Sequence, residues 1–169
     1  MIVVTCILLT VLAIASFTSL NVRYLRERRK WVEGVLIICL AFASVISATL
    51  AQPAIGVMRW WLAVAVLSSG TLGGAIAVPL IMKMAFRPHP LPEAPLLPGT
   101  LWIGLVERFG FVFALMLNLT EVAAILLGVK ALGQYVATTN HAPATRVLGT
   151  LVSVSWGLLC YSVWKLAAY

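Results

Sequence analysis

The chain has 169 residues, of which 62% are apolar and 10% charged, with a net charge of +7. Soluble domains are typically about 45–50% apolar and about 25% charged, so this composition excludes an ordinary water-facing surface and makes lipid the main solvent. The positive charge does not point to nucleic acid, because five of the twelve basic residues lie in one short segment, Arg23 to Lys30, between two apolar runs. That is the pattern of a cytoplasmic loop beside anionic lipid.

Five apolar segments follow one another, each compared with the roughly 20 residues that a membrane crossing needs. The first runs from Ile2 to about Leu20. It has no basic residues before it and several after it, the reverse of a cleaved signal peptide. It reads as a retained span with the N-terminus outside. The second runs from about Trp31 to Ala51. The third, Trp60 to about Met84, contains Ser68, Ser69, Gly70, Thr71, Gly73, Gly74, Ala75 and Ala77, followed by Pro79. Helices in lipid associate by close approach of small residues, and Gly70-x-x-x-Gly74 has that spacing. Gly70, Gly73 and Gly74 are therefore expected to form a packing face. A helix broken beside a site is the alternative that glycine pairs and a proline also permit.

Residues 87–100, RPHPLPEAPLLPGT, hold five prolines. That density forbids a helix and favours an extended, polyproline-like segment. It reads as a cytoplasmic linker, or as a docking segment for a partner. It divides a single membrane domain into a three-span part, 1–86, and a two-span part, 101–169.

The fourth apolar segment, about Leu101 to Tyr135, is too long for one perpendicular crossing and is expected to tilt or to begin in the interface. Read as one helix, it places Glu107, Ala114, Asn118, Glu121, Ile125 and Leu132 along one line. Asn118 and Glu121 are then neighbours at i and i+3 near the middle of the bilayer. A charge at that depth costs about 2.5–3.5 kcal/mol or more, so Glu121 is expected to face protein, a cavity or a partner. Three roles stay open for it: a neutral acid joining helices by a hydrogen bond, a counter-ion to a partner or headgroup, or a carrier of a proton or cation. Glu107 and Arg108 are expected at the cytoplasmic boundary, and Lys130 near the outer one. The fifth segment runs from about Val147 to Trp164.

Loop charge orients this arrangement. With the N-terminus outside and the C-terminus cytoplasmic, nine basic residues fall inside and three (Arg59, Lys130 and Arg146) outside. Trp31, Trp60, Trp61, Trp102 and Trp164 lie near predicted span ends, where amphipathic rings belong. The expected fold is an all-α polytopic transmembrane bundle of five spans. A four-span version, with the start of the fourth segment re-entrant or interfacial, is the alternative.

Chemical motifs are few. Cys6, Cys39 and Cys160 lie separately in apolar runs, which fits buried thiols and not a disulfide framework. The chain has no aspartate, and His89 and His141 lie outside the apolar segments. No P-loop, HExxH or GxSxG is present. No metal site or cofactor is expected, and no catalytic residue is assigned.

Three stretches resemble a pattern found in uncharacterised bacterial integral membrane proteins. They are Trp102-Ile103-Gly104-Leu105-Val106-Glu107-Arg108, Val129-Lys130-Ala131-Leu132-Gly133-Gln134-Tyr135 and Leu148-Gly149-Thr150-Leu151-Val152-Ser153. The resemblance covers roughly residues 99–157, with Gln134 standing where the pattern has an arginine. It carries no activity, but it implies that Glu107, Arg108 and Lys130 matter.

The functional expectation is an accessory or assembly subunit of a membrane complex or a homo-oligomer in a cell membrane. A small proton- or cation-linked transporter built on Asn118 and Glu121, and a lipid-modifying enzyme using Glu107 and Arg108, are the alternatives. Expected partners are membrane lipids, further copies of the chain or other membrane subunits.

Overall fold

The computed structural model describes the backbone of residues 1–21, 27–85, 98–136 and 143–169, and their side chains apart from 20, 21, 27–31, 98–101, 134–136 and 143–146. The proline-rich stretch 87–97, both histidines and the side chains of the basic segment Arg23 to Lys30 lie outside this set. Six α-helices make up the described fold, with no strand among the described residues: α1 (Ile2–Asn21), α2 (Glu27–Thr49), α3 (Val57–Ala85), α4 (Pro98–Met116), α5 (Thr120–Val136) and α6 (Pro143–Ala168). Pro98 and Pro143 stand at first helical positions, where the missing N–H has no intrahelical partner to lose. Four helices, α1, α2, α3 and α6, are long and apolar enough to cross a membrane.

Several polar residues of these apolar helices are satisfied locally or across close contacts. Ser16 donates to the Leu12 carbonyl at 2.8 Å, and Thr71 to that of Leu67 at 2.7 Å. Thr5 and Ser47 join α1 to α2 at 3.0 Å. The Trp61 indole N–H donates to Thr10 at 3.1 Å, tying α3 to α1. Such bonds are the expected fate of polar groups where water is absent.

α3 is the central helix and packs on α1, α4 and α6. Its small residues are why neighbours come so close. A Cβ added at Gly73 would lie 2.5 Å from the Trp156 ring, and one at Gly74 would lie 2.8 Å from Arg108 Cδ. At Gly70 it would meet Val112 at 3.1 Å. The packing face expected for Gly70, Gly73 and Gly74 is thus occupied by α4 and α6 of the same chain. The helix continues through Pro79, so the broken-helix alternative is not what forms.

The largest departure from expectation lies in the fourth apolar segment. It is not one helix but a hairpin, α4 and α5, turning at residues 117–119. Asn118 adopts a left-handed φ of 59°. Its N–H bonds the Leu115 carbonyl at 3.0 Å, and the Leu119 N–H bonds the Ala114 carbonyl at 2.9 Å. Those two bonds are a Schellman stop, with asparagine at the position where glycine or asparagine is favoured. Thr120 and Glu121 then open α5. The single face proposed for Glu107, Ala114, Asn118, Glu121, Ile125 and Leu132 therefore does not exist.

The extra turn changes the topology. Ala54 N–H bonds the Ala167 carbonyl at 2.7 Å, which places the end of α6 beside the α2–α3 turn. The Thr5–Ser47 bond places the start of α1 at the same end. Both described termini thus lie at one end of the bundle. The expectation was five spans with the termini on opposite sides; within the described helices the chain doubles back once more than the apolar runs suggest.

Candidate functional site: a charged cleft between α4, α5 and α6

α5 packs chiefly against α4. Between it and α6, a cavity of about 40 Å³ lies over α4, lined by Glu107, Arg108, Lys130, Ser153 and apolar neighbours that include Phe111 and Leu127. Because the hairpin is antiparallel, Lys130 returns to the level of Glu107, and the two form an ion pair. Lys130 was expected near the opposite boundary; the turn at Asn118 is the reason it is not there.

Arg108 lines the same cavity and is held from α6. Its Nε donates to the Ser153 hydroxyl of α6 at 3.0 Å. Its stem lies over Gly74, where a Cβ would come within 2.9 Å of Nε. The glycine is what lets a guanidinium lie between α3 and α4. No carboxylate among the described residues forms a salt bridge with Arg108. Beside it, Trp156 donates to the Ser69 carbonyl at 3.2 Å and holds the α3–α6 contact. Along α3, Gly74 is about 22 Å from the level of Arg59 and about 14 Å from that of Lys83. Arg108 therefore lies beside the middle of α3 and not beside either of its ends.

Three fixed groups are brought together here, Glu107, Arg108 and Lys130, as sequence reasoning singled out. Ser153 is the member that reasoning missed. Its position in a glycine-threonine-x-x-serine stretch was visible, but a serine in an apolar run has a local role by default. Glu33 was missed as well: on α2 it accepts a 2.8 Å hydrogen bond from Ser19, linking α1 and α2.

Asn118 and Glu121 are not part of this site. Asn118 forms the turn, and Glu121 is exposed in the first turn of α5. A carboxylate there is favoured by the helix N-terminus. The placement of Glu121 in mid-span is thereby corrected: the apolar run around it is two helix ends and a turn. The described residues contain no group of three or more His, Cys, Asp or Glu able to hold a metal ion. Compared with protein families, with curated proteins and with solved structures, the chain matches none.

Proposed function

We propose that this is a multi-pass protein of a bacterial cell membrane that moves a small anion together with a proton, using Glu107, Arg108 and Lys130. The observation that supports this reading is the Glu107–Lys130 ion pair bordering a cavity with Arg108, which has no carboxylate partner among the described residues. Ionisable groups at such depth commonly mark ion pathways or proton relays. The cluster carries two cations and one carboxylate, a net charge of +1. If Glu107 takes up a proton, Lys130 loses its partner and an anion replaces it. Two cations, a neutral acid and an anion again sum to +1, so joint loading leaves the charge of the cleft unchanged. Loading either species alone changes it, at a cost that low dielectric makes large. The cavity of about 40 Å³ restricts the cargo to a few water volumes. The three residues are also those to which the family resemblance pointed.

The distribution of basic residues supports an orientation. The helix ends that the α1–α2, α3–α4 and α5–α6 connections join lie at one end, and the sequence across those connections holds Arg23, Arg26, Arg28, Arg29, Lys30, Lys83, Arg87 and Arg146. Arg59 and Lys165 belong to the other. Eight against two supports placing the first end in the cytoplasm and both termini outside. With termini on one side the crossings number four or six, depending on whether the hairpin α4–α5 spans. α4 and α5 are about 28 and 25 Å long, near the lower limit for crossing.

The test is flux in proteoliposomes with chloride, nitrate, formate or acetate as the anion. Acid on one side is expected to drive uptake of at least one of them, and Glu107→Gln is expected to uncouple that uptake from the proton. Proton-coupled flux undiminished in Glu107→Gln overturns the reading and leaves the pair as a staple between α4 and α5.

A second reading, an accessory or assembly subunit, is supported by α5 itself. It is anchored mainly on α4 and presents Ile125, Val129 and Leu132, each more than 60% exposed, outward. Mass determination in mild detergent tests it: a monomer that stays active alone removes it.

A further inference from the structure

At the end of the bundle opposite the charged cleft, a groove of about 760 Å³ opens between α3, α4 and α6. Its walls are apolar, formed by Ala63, Val64 and Leu67 of α3 and by Phe113 and Met116 of α4. Its mouth is polar. Arg59, Asn118, Trp164 and Tyr169 line it there. The Arg59 guanidinium lies 5.7 Å from the Trp164 ring centroid and 5.3 Å from that of Tyr169, and Lys165 lies 4.9 Å from the Tyr169 ring.

Two features separate this groove from a merely lipid-facing surface. Trp164 is only 7% exposed, and its indole N–H is buried without a hydrogen-bond acceptor among the described residues. Buried donors are nearly always paired, and an unpaired one calls for an absent partner. Arg59 stands over the same ring with π faces as its contacts, which hold a cation in place without neutralising it. Among the described residues, a donor without an acceptor and a cation without an anionic partner thus share the mouth of an apolar groove. Arg59 to Leu67 spans about 12 Å along α3, several methylenes of an acyl chain.

We propose that this groove binds one phospholipid, with an acyl chain along α3 and α4 and the phosphate at Arg59 and the Trp164 N–H. The phosphate oxygens supply the acceptor that Trp164 lacks and the negative charge that Arg59 lacks. Lys165 beside Tyr169 favours a headgroup with net negative charge over a zwitterionic one. The inference rests on the membrane setting but not on the transport reading, since none of these residues lines the Glu107–Lys130 cleft.

The experiment is native mass spectrometry of the detergent-purified full chain titrated with phosphatidylglycerol or phosphatidylcholine. Wild type is expected to retain one phosphatidylglycerol in preference to phosphatidylcholine. Trp164→Phe, which keeps the ring and deletes the N–H, and Arg59→Gln are each expected to weaken retention by about tenfold, the scale of one charge-assisted hydrogen bond. Melting temperature in lipid-free detergent serves as the control for folding. Equal retention by the wild type and by variants that melt normally overturns the proposal, as does retention of both lipids without preference. Proton-coupled flux is expected to persist in Trp164→Phe, so loss of lipid with intact flux separates this site from the charged cleft.

Discussion

Glu107 and Lys130 form a pair whose side chains are 35% and 19% exposed, so it is neither fully solvated nor fully buried. Removing one partner of a buried pair costs about 3–5 kcal/mol, and of an exposed pair about 0–1 kcal/mol. Lys130→Met is accordingly expected to destabilise the protein by roughly 1–2 kcal/mol, between those limits. Lys130→Met combined with Glu107→Gln is expected to recover most of that loss. Thermal unfolding in detergent completes the cycle, and strict additivity of the two changes would show that the residues do not interact. The glycines of α3 give a second prediction at this scale. Gly73→Ala drives a methyl against the Trp156 ring and is expected to cost about 1–3 kcal/mol. Gly128→Ala on α5 meets no atom within 4 Å and is expected to stabilise the helix by about 0.5–1 kcal/mol. The ordering of the two melting temperatures checks both contacts.

At the scale of the helix, the turn at Asn118 decides what the back half of the chain can do. A straight helix through 101–135 would separate Gly110 and Leu126 by about 24 Å. In the hairpin, a Cβ at position 110 lies 3.4 Å from Leu126 Cδ1. Cysteines at 110 and 126, in a background lacking Cys6, Cys39 and Cys160, are expected to cross-link through a short bis-maleimide. Failure to cross-link while each thiol is alkylated singly would restore the straight helix. The left-handed φ also predicts that Asn118→Gly is tolerated, whereas Asn118→Val costs about 1–2 kcal/mol.

The same turn explains what sequence reading caught and what it missed. Apolar runs show where lipid-compatible helices lie, and the four helices long and apolar enough to cross a membrane were legible from them. The segment 101–135 was also visibly too long, at about 52 Å for a crossing of about 30 Å. Its stop signal was present, an asparagine followed by threonine and an acid, which is a helix end followed by a helix start. Those residues were instead read as polar groups inside one helix, because an acid between apolar stretches suggests function before it suggests a boundary. Glu107, Arg108 and Lys130 were singled out by charge, but their meeting depends on the hairpin, which periodicity within a single helix does not reveal. Ser153 became visible only once α6 was packed against α4.

At the scale of the whole molecule, the termini provide the simplest test. Short epitopes fused before Met1 and after Tyr169 are expected to react with impermeant antibody from the same face of intact spheroplasts. Labelling of one only would restore an odd number of crossings.

The contact between Gly74 of α3 and Arg108 of α4 also bears on how the protein is made. Glu107 and Arg108 sit side by side in α4, and the insertion penalty of such residues at mid-helix is about 2.5–3.5 kcal/mol each. Taken alone, α4 is a poor candidate for integration by the translocon. Gly74 gives Arg108 a berth that plain lipid does not offer, and Ser153 receives its Nε only after α6 has been synthesised. Biogenesis is therefore expected to be ordered: α3 is embedded first, α4 waits at the bilayer surface or in the insertion machinery, and the last helix completes its entry.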